Sequence, residues 1–198
     1  ILPDISLTWN EKYNSGVSRE VKLHSAMIAK GDASNMQKMS LETNWSKKNI
    51  FSSGQLLDLN FSIRGDVYKN KKTDNSRTIG KKGSHTSFRA IPKIDIKWSF
   101  PFINYESKKI TIIEPIIQTI ISPKGGNPDK IHNLDSIDIE LNDLNLFSSN
   151  RFSGYDKIEE GSRINFGIKS NIITKNIGSL KTLIGRSYSP LKPQNEKI

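Results

Sequence analysis

Apolar and polar residues alternate along most of this chain with the period of two that marks half-buried strands. In residues 4–10, Ile5, Leu7 and Trp9 fall on one face, and Asp4, Ser6, Thr8 and Asn10 on the other. Residues 17–28 set Val21, Leu23 and Met27 against Glu20, Lys22 and His24. Residues 38–46 set Met39, Leu41, Thr43 and Trp45 against Lys38, Ser40, Glu42, Asn44 and Ser46. Residues 57–67 set Leu57, Leu59, Phe61 and Ile63 against Asp58, Asn60, Ser62 and Arg64. Residues 88–100 and 163–172 repeat the pattern, the first with Lys93, Asp95 and Lys97 on its polar side and the second with Arg163, Asn165 and Lys169. Residues 110–121 are apolar on both faces, so alternation leaves their orientation open. A weaker segment at 180–186 completes about eight strands. Helical spacing is nearly absent, and 135–146 reads as loop with a short strand.

The connections carry the next inference. Short links are expected at 14–16, 47–54, 104–109 and 174–179, and longer ones at 30–37, 69–83 and 122–162. In an up-and-down meander these two sets fall at opposite ends, an asymmetry of outer-membrane barrels. The expected fold is therefore all-β, an antiparallel up-and-down meander of about eight strands crossing a bilayer at a tilt. Eight strands can close a small barrel. The start at Ile1 favours instead an arc of a larger one, with residues 1–198 belonging to one barrel domain. Pro92 and Pro115 interrupt apparent strands and predict bulges or weak pairing. Trp9, Trp45, Trp98, Tyr68 and Tyr105 fall near strand ends, where interfacial aromatic girdles lie.

Composition narrows the chemistry. Thirty Lys and Arg against 20 Asp and Glu give a formal net charge of +10, which suits polyanionic partners. Basic residues crowd 69–83 and acidic ones 135–160. The basic stretch has no interleaved aromatics, which argues against nucleic acid. With no Cys, disulfides and thiolate chemistry are excluded within the chain. His24, His85 and His132 lie far apart without metal-ligand spacing, so no metal or cofactor is expected. No G-x-S-x-G elbow or phosphate loop occurs, and Glu159-Glu160 point apart in an extended segment. No enzymatic constellation emerges.

One stretch departs from the alternation. Residues 146–159 read Leu-Phe-Ser-Ser-Asn150-Arg151-Phe152-Ser-Gly154-Tyr-Asp156-Lys-Ile-Glu159, followed by Gly161-Ser162-Arg163 and a new strand. This resembles the L-F-x-x-N-R-F-S-G-x-D-R-I-E signature of the lipopolysaccharide-assembly outer-membrane proteins, the LptD (OstA/Imp) family. Ile113-Glu114-Pro115-Ile116-Ile117-Gln118 is similar to that family's L-E-P-R-x-Q strand, with Ile116 where an Arg is usual and Lys157 for another Arg. The motifs cover about 110–185; before them the likeness is architectural.

The resemblance implies an internal arc of a large barrel in a Gram-negative outer membrane, without the family's jellyroll and closing strands. Its implied partners are lipopolysaccharide, an LptE-like plug lipoprotein, an LptA-like periplasmic bridge and outer-membrane lipid, with no nucleic acid. Function would be translocation of lipopolysaccharide into the outer leaflet, without bond chemistry. On this reading Lys22, Glu42, Arg64, Lys93, Asp95, Lys97 and Lys169 face the lumen, and Leu41, Leu59, Phe61, Ile96 and Phe166 face lipid. The loop 150–163 would fold over or into the barrel mouth, with Arg151, Asp156 and Glu159 in charge-assisted bonds. A porin- or receptor-type barrel, and a soluble basic all-β module for polyanions, are the alternatives.

Overall fold

The computed structural model describes residues 4–29, 34–72, 83–127, 136, 145–175 and 178–190. Every regular element among them is a strand: β1 (Asp4–Lys12), β2 (Val17–Ala29), β3 (Ser34–Ile50), β4 (Leu56–Lys72), β5 (Gly83–Ser99), β6 (Phe102–Glu106), β7 (Lys109–Ile121), β8 (Arg163–Thr174) and β9 (Gly178–Tyr188). They form one open antiparallel sheet in the order β1-β2-β3-β4-β5-β7-β8-β9, with β6 paired to β7. This is the all-β up-and-down meander that alternation predicts, and its open form is consistent with an arc of a barrel.

The extra strand has a covalent cause. β5 pairs with β7 from Ile94↔Ile121 to Ser99↔Ile116, and β6 pairs with the same strand from Phe102↔Ile113 to Glu106↔Lys109, in one continuous register. β6 is thus the continuation of β5, cut at Phe100-Pro101, and it occupies part of the stretch expected to be a link at 104–109. Pro101 has no N–H to give the ladder, and Pro115 lies opposite the cut. One bond spans it, from the Phe100 N–H to the Pro115 carbonyl at 3.2 Å.

Neither Pro92 nor Pro115 makes the expected bulge. Pro115 sits opposite Ile168 in an unbroken β7–β8 ladder, and Pro92 opposite Ile63 in an unbroken β4–β5 ladder. Pro92 also lies two residues beyond the last β5–β7 pair, at Ile94, so that ladder demands no donor from it.

The strands are longer than alternation suggested. β3 begins at Ser34, so only residues 30–33 separate it from β2, and half of the expected medium loop at 30–37 is strand. β4 likewise runs to Lys72. Polar residues on both faces hide these extensions, because period-two contrast vanishes where neither face meets an apolar phase. The 122–162 connection remains long; most of 128–144, and all of 73–82, lie outside the described residues.

The two faces invert the pattern of a water-soluble sheet. One face is bare and apolar: Leu7, Leu41, Phe61, Ile63, Ile96, Phe166 and Ile184 are all exposed, Ile184 to 80%. The opposite face buries Lys38, Arg64, Asp66, Arg89, Lys93, Asp95, Gln118, Arg163 and Asn165. The ambiguous β7 is settled by this division. Ile116, Gln118 and Ile120 are buried on the polar side, while Ile113, Ile117 and Ile121 stay exposed on the other.

Two groups of aromatics form on the bare face. Trp45 stacks on Phe61 with centroids 5.6 Å apart. Trp98, Phe100 and Phe102 form a ladder with successive spacings of 6.5 and 4.4 Å. Tyr68 does not join them: it is fully buried on the polar face, where its hydroxyl accepts from Arg89 Nη2 at 3.0 Å. Tyr105 pairs with Ile110, on the parity of Ile116 and Ile120, so it also leaves the expected girdle. Nearness to a strand end does not reveal a side chain's face; parity within the register does.

Candidate functional site

Residues 122–127 and 145–162 leave the sheet and lie against its polar face. Two features of sequence let the second segment approach closely. Gly167 and Gly185 are opposite each other on β8 and β9, and Leu146 and Phe147 rest on them. A Cβ at Gly185 would stand 2.5 Å from Leu146 Cδ2, and one at Gly167 would stand 3.3 Å from Phe147 Cζ. The chain turns just there, with the Ser148 N–H bonded to the Asn145 carbonyl at 3.0 Å. Gly154 and Gly161 then take positive φ of 78° and 77°, a region that favours glycine.

The signature residues knit this segment to itself. Asn150 Oδ1 accepts the Glu159 N–H at 2.9 Å, and its Nδ2 donates to the Phe152 carbonyl at 3.4 Å. The Glu159 carboxylate takes the Arg151 N–H at 3.2 Å, Arg151 Nη1 at 3.3 Å and Arg163 Nη2 at 3.1 Å. Glu160, beside it, caps the other crossing by accepting the Gly125 and Asn127 N–H groups at 2.9 and 2.7 Å. Asn127 makes paired bonds with the Ile158 backbone, at 2.6 and 2.9 Å. The Gly161 N–H reaches the Pro123 carbonyl at 3.1 Å. Lys157 Nζ lies 5.3 Å above the Phe152 ring.

The sheet then grips the segment from both halves. On β3–β5, Lys38 Nζ meets Asp156 Oδ1 at 3.1 Å. Arg64 and Arg89 share Asp66, at 2.9 and 2.6 Å, and both aim Nη2 at the Tyr155 carbonyl. Arg89 Nη1 also donates to the Asp156 and Gly126 carbonyls at 2.7 and 2.9 Å. Lys93 donates to the Ser149 carbonyl at 2.9 Å, and Asp95 accepts from Ser149 Oγ at 2.6 Å. On β7–β9, Gln118 donates to the Phe147 carbonyl at 3.1 Å and Arg163 to the Ser148 carbonyl at 2.7 Å. Arg151 Nη2 reaches Asn165 Oδ1 at 2.9 Å and Ser187 Oγ at 2.8 Å. Tyr155 stacks on His24 at 3.9 Å, almost parallel.

The positions expected to face the lumen lie on this face. Arg64, Lys93 and Asp95 bind the segment directly. Lys169 lies 5.7 Å over the Phe147 ring. Lys22 pairs with Glu20 at 2.8 Å and Lys97 with Asp58 at 3.1 Å. Glu42 sits opposite Lys22 and Arg64 in the register.

Lys38, Asp66, Tyr68, Arg89, Asn127 and Gly185 join the site without a place in the quoted motifs. Glycines inside strand patterns signal a close backbone approach, so Gly167 and Gly185 carried a readable sign. Lys38 and Arg89 carried none, because the residues of the 145–162 segment that they hold lie more than 60 residues away. Chemically the arrangement is a clasp: buried cations meet carboxylates and backbone carbonyls. Among the described residues no cluster of His, Asp or Glu is suited to a metal ion.

Comparison with curated proteins finds no match. A family model does match, that of LPS transport system D (LptD), over residues 1–195, which reaches through the first hundred residues where the quoted motifs are absent. The chain belongs to the LptD family of lipopolysaccharide transport proteins.

Proposed function

We propose that this chain is part of the wall of a single outer-membrane barrel that delivers lipopolysaccharide to the outer leaflet, working with a plug lipoprotein and a periplasmic bridge. The observation that carries this reading is the inversion of faces: Phe61, Ile96 and Phe166 stand exposed while Arg64, Arg89 and Arg163 are buried behind them. Such a sheet is stable only if the bare face meets lipid, where moving each large apolar side chain out of water contributes roughly 1.5–3 kcal/mol.

The polar face then lines the lumen. Transport of a large amphiphile needs no bond chemistry. It needs a polar wall for the sugar and phosphate headgroup, and apolar surroundings for the acyl chains. The clasp at 145–162 covers the upper part of that wall, leaving Lys22, Glu42, Lys97 and Lys169 below it for headgroup or plug contacts. The family match favours this over a porin or receptor.

The test is depletion of the protein in its own cell. Lipopolysaccharide at the cell surface should fall while lipopolysaccharide accumulates inside the cell. Unchanged surface lipopolysaccharide after depletion would overturn the reading.

A further inference from the structure

Charges on the polar face are satisfied within the protein almost everywhere: Lys38 by Asp156, Arg64 and Arg89 by Asp66, Arg163 by Glu159, Lys97 by Asp58. A group of charges without ion pairs among the described residues lies toward the short-turn end of β7, β8 and β9. There a cavity of about 400 Å³ is lined by Ile112, Glu114, Lys169, Asn171, Lys181 and Leu183. In the register, Glu114 faces Lys169 and Lys169 faces Leu183, while Ile112 faces Asn171 and Asn171 faces Lys181, so all six project from the clasp side of the sheet.

Three observations point to a ligand. Lys181 and Glu114 make no ion pair with any described residue, and Lys169 directs its ammonium to the Phe147 ring instead of Glu114. Asn171 Oδ1 is buried and has no hydrogen-bond partner among the described residues, an arrangement that costs stability unless something else donates to it. The neighbouring turns add Lys108, Lys109 and Lys175 against Glu106 alone, so the field at this end is positive.

We propose that this cavity is a phosphosugar subsite. Lys169 and Lys181 would hold the phosphate as two point charges. Glu114 and Asn171 would take sugar hydroxyls or an amide, and Ile112 and Leu183 the apolar edge of the ring. The volume suits one sugar with its phosphate, the rest of a larger glycolipid extending outside it. The proposal rests on the reading of the polar face as a lipopolysaccharide path, and it assigns that path a stopping point at the end opposite the clasp. Phe147 joins the two regions, since it contacts both Gly167 and Lys169.

The experiment uses the full-length protein purified in detergent and measures binding of glucosamine 1-phosphate, glucosamine and inorganic phosphate by calorimetry. The phosphosugar should bind more tightly than either fragment. Lys169→Gln/Lys181→Gln should weaken it by about tenfold or more, while the equal charge change Lys47→Gln/Lys48→Gln leaves it unaltered. Leu183→Trp, which fills the cavity and keeps both lysines, should weaken it as well, in protein whose heat-modifiable mobility shows it folded. Equal binding by wild type and the double variant would overturn the proposal, as would phosphate binding as tightly as the phosphosugar. Loss of surface lipopolysaccharide on depletion, combined with no phosphosugar binding, would remove the subsite and leave the transport reading standing. Phosphosugar binding without that loss would overturn the transport reading instead.

Discussion

Lys38 and Asp156, 118 residues apart in the chain, meet at 3.1 Å with both side chains almost completely buried. The pair ties the third strand of the sheet to a segment that enters from between β7 and β8. Removing Asp156 with Ala takes this buried carboxylate away from the Lys38 ammonium, which should destabilise the seat of the segment. Asp156→Asn keeps an acceptor and should cost less. Protease cleavage within 145–162 is the readout: Asp156→Ala should be cut faster than wild type, with Asn between them. Equal cleavage of all three would show that the pair does not hold the segment.

Gly185 makes a sharper test of the same contact. A Cβ there meets Leu146 Cδ2 at 2.5 Å and the Phe166 carbonyl at 2.7 Å. Gly185→Ala should destabilise the folded barrel by about 1–3 kcal/mol through overpacking. Leu146→Ala in the same chain should recover part of that loss, because it relieves the side-chain clash and not the backbone one. The midpoint of heat-modifiable gel mobility measures both.

Arg151 should not tolerate Lys. One planar guanidinium serves Glu159 through Nη1 and the Leu146 carbonyl, Asn165 and Ser187 through Nη2. An ammonium cannot reach all of these from one position. Arg151→Lys should therefore loosen the segment nearly as much as Arg151→Ala in the protease assay. Full recovery by Lys would mean that charge alone matters at this site.

The bare face makes its own prediction. The chain has no native Cys, so single Cys variants can be spin-labelled uniquely. Labels at Phe61, Ile96 and Phe166 should be relaxed by oxygen dissolved in lipid, and a label at Lys97 by a water-soluble reagent. Phe61→Arg should cost about 2–4 kcal/mol if that position lies near the bilayer midplane. Aqueous exposure at Phe61 would reverse the assignment of faces.

Much of the architecture is legible in the sequence. Strand positions and the pairing of opposite faces follow from a pattern written within a few residues, as in 57–67, where Leu57 to Ile63 alternate without a fault. The meander followed from short turns such as the one at Gly16, whose positive φ of 79° suits a tight reversal. Strand ends were less legible: 34–37 and 69–72 carry polar residues on both faces, so nothing local separates them from loop. The cut between β5 and β6 has no local signature, since the alternation simply ends at Phe100, and only the shared register with β7 identifies Pro101 as an interruption.

The clasp divides in the same way. Asn150, Arg151, Gly154, Asp156, Glu159, Gly161 and Arg163 stood out because their family pattern is contiguous, and several of their mutual bonds span fewer than ten residues. The alternating chain alone determined that there would be two chemically distinct faces, since side-chain direction in a strand has a fixed period. Which side would be bare, how β7 is turned, and that Lys38, Arg89 and the Gly167–Gly185 pair form the seat of the clasp were decided only in three dimensions. Those contacts depend on register and on a chain reversal that joins residues far apart in sequence, and a local pattern holds no record of either.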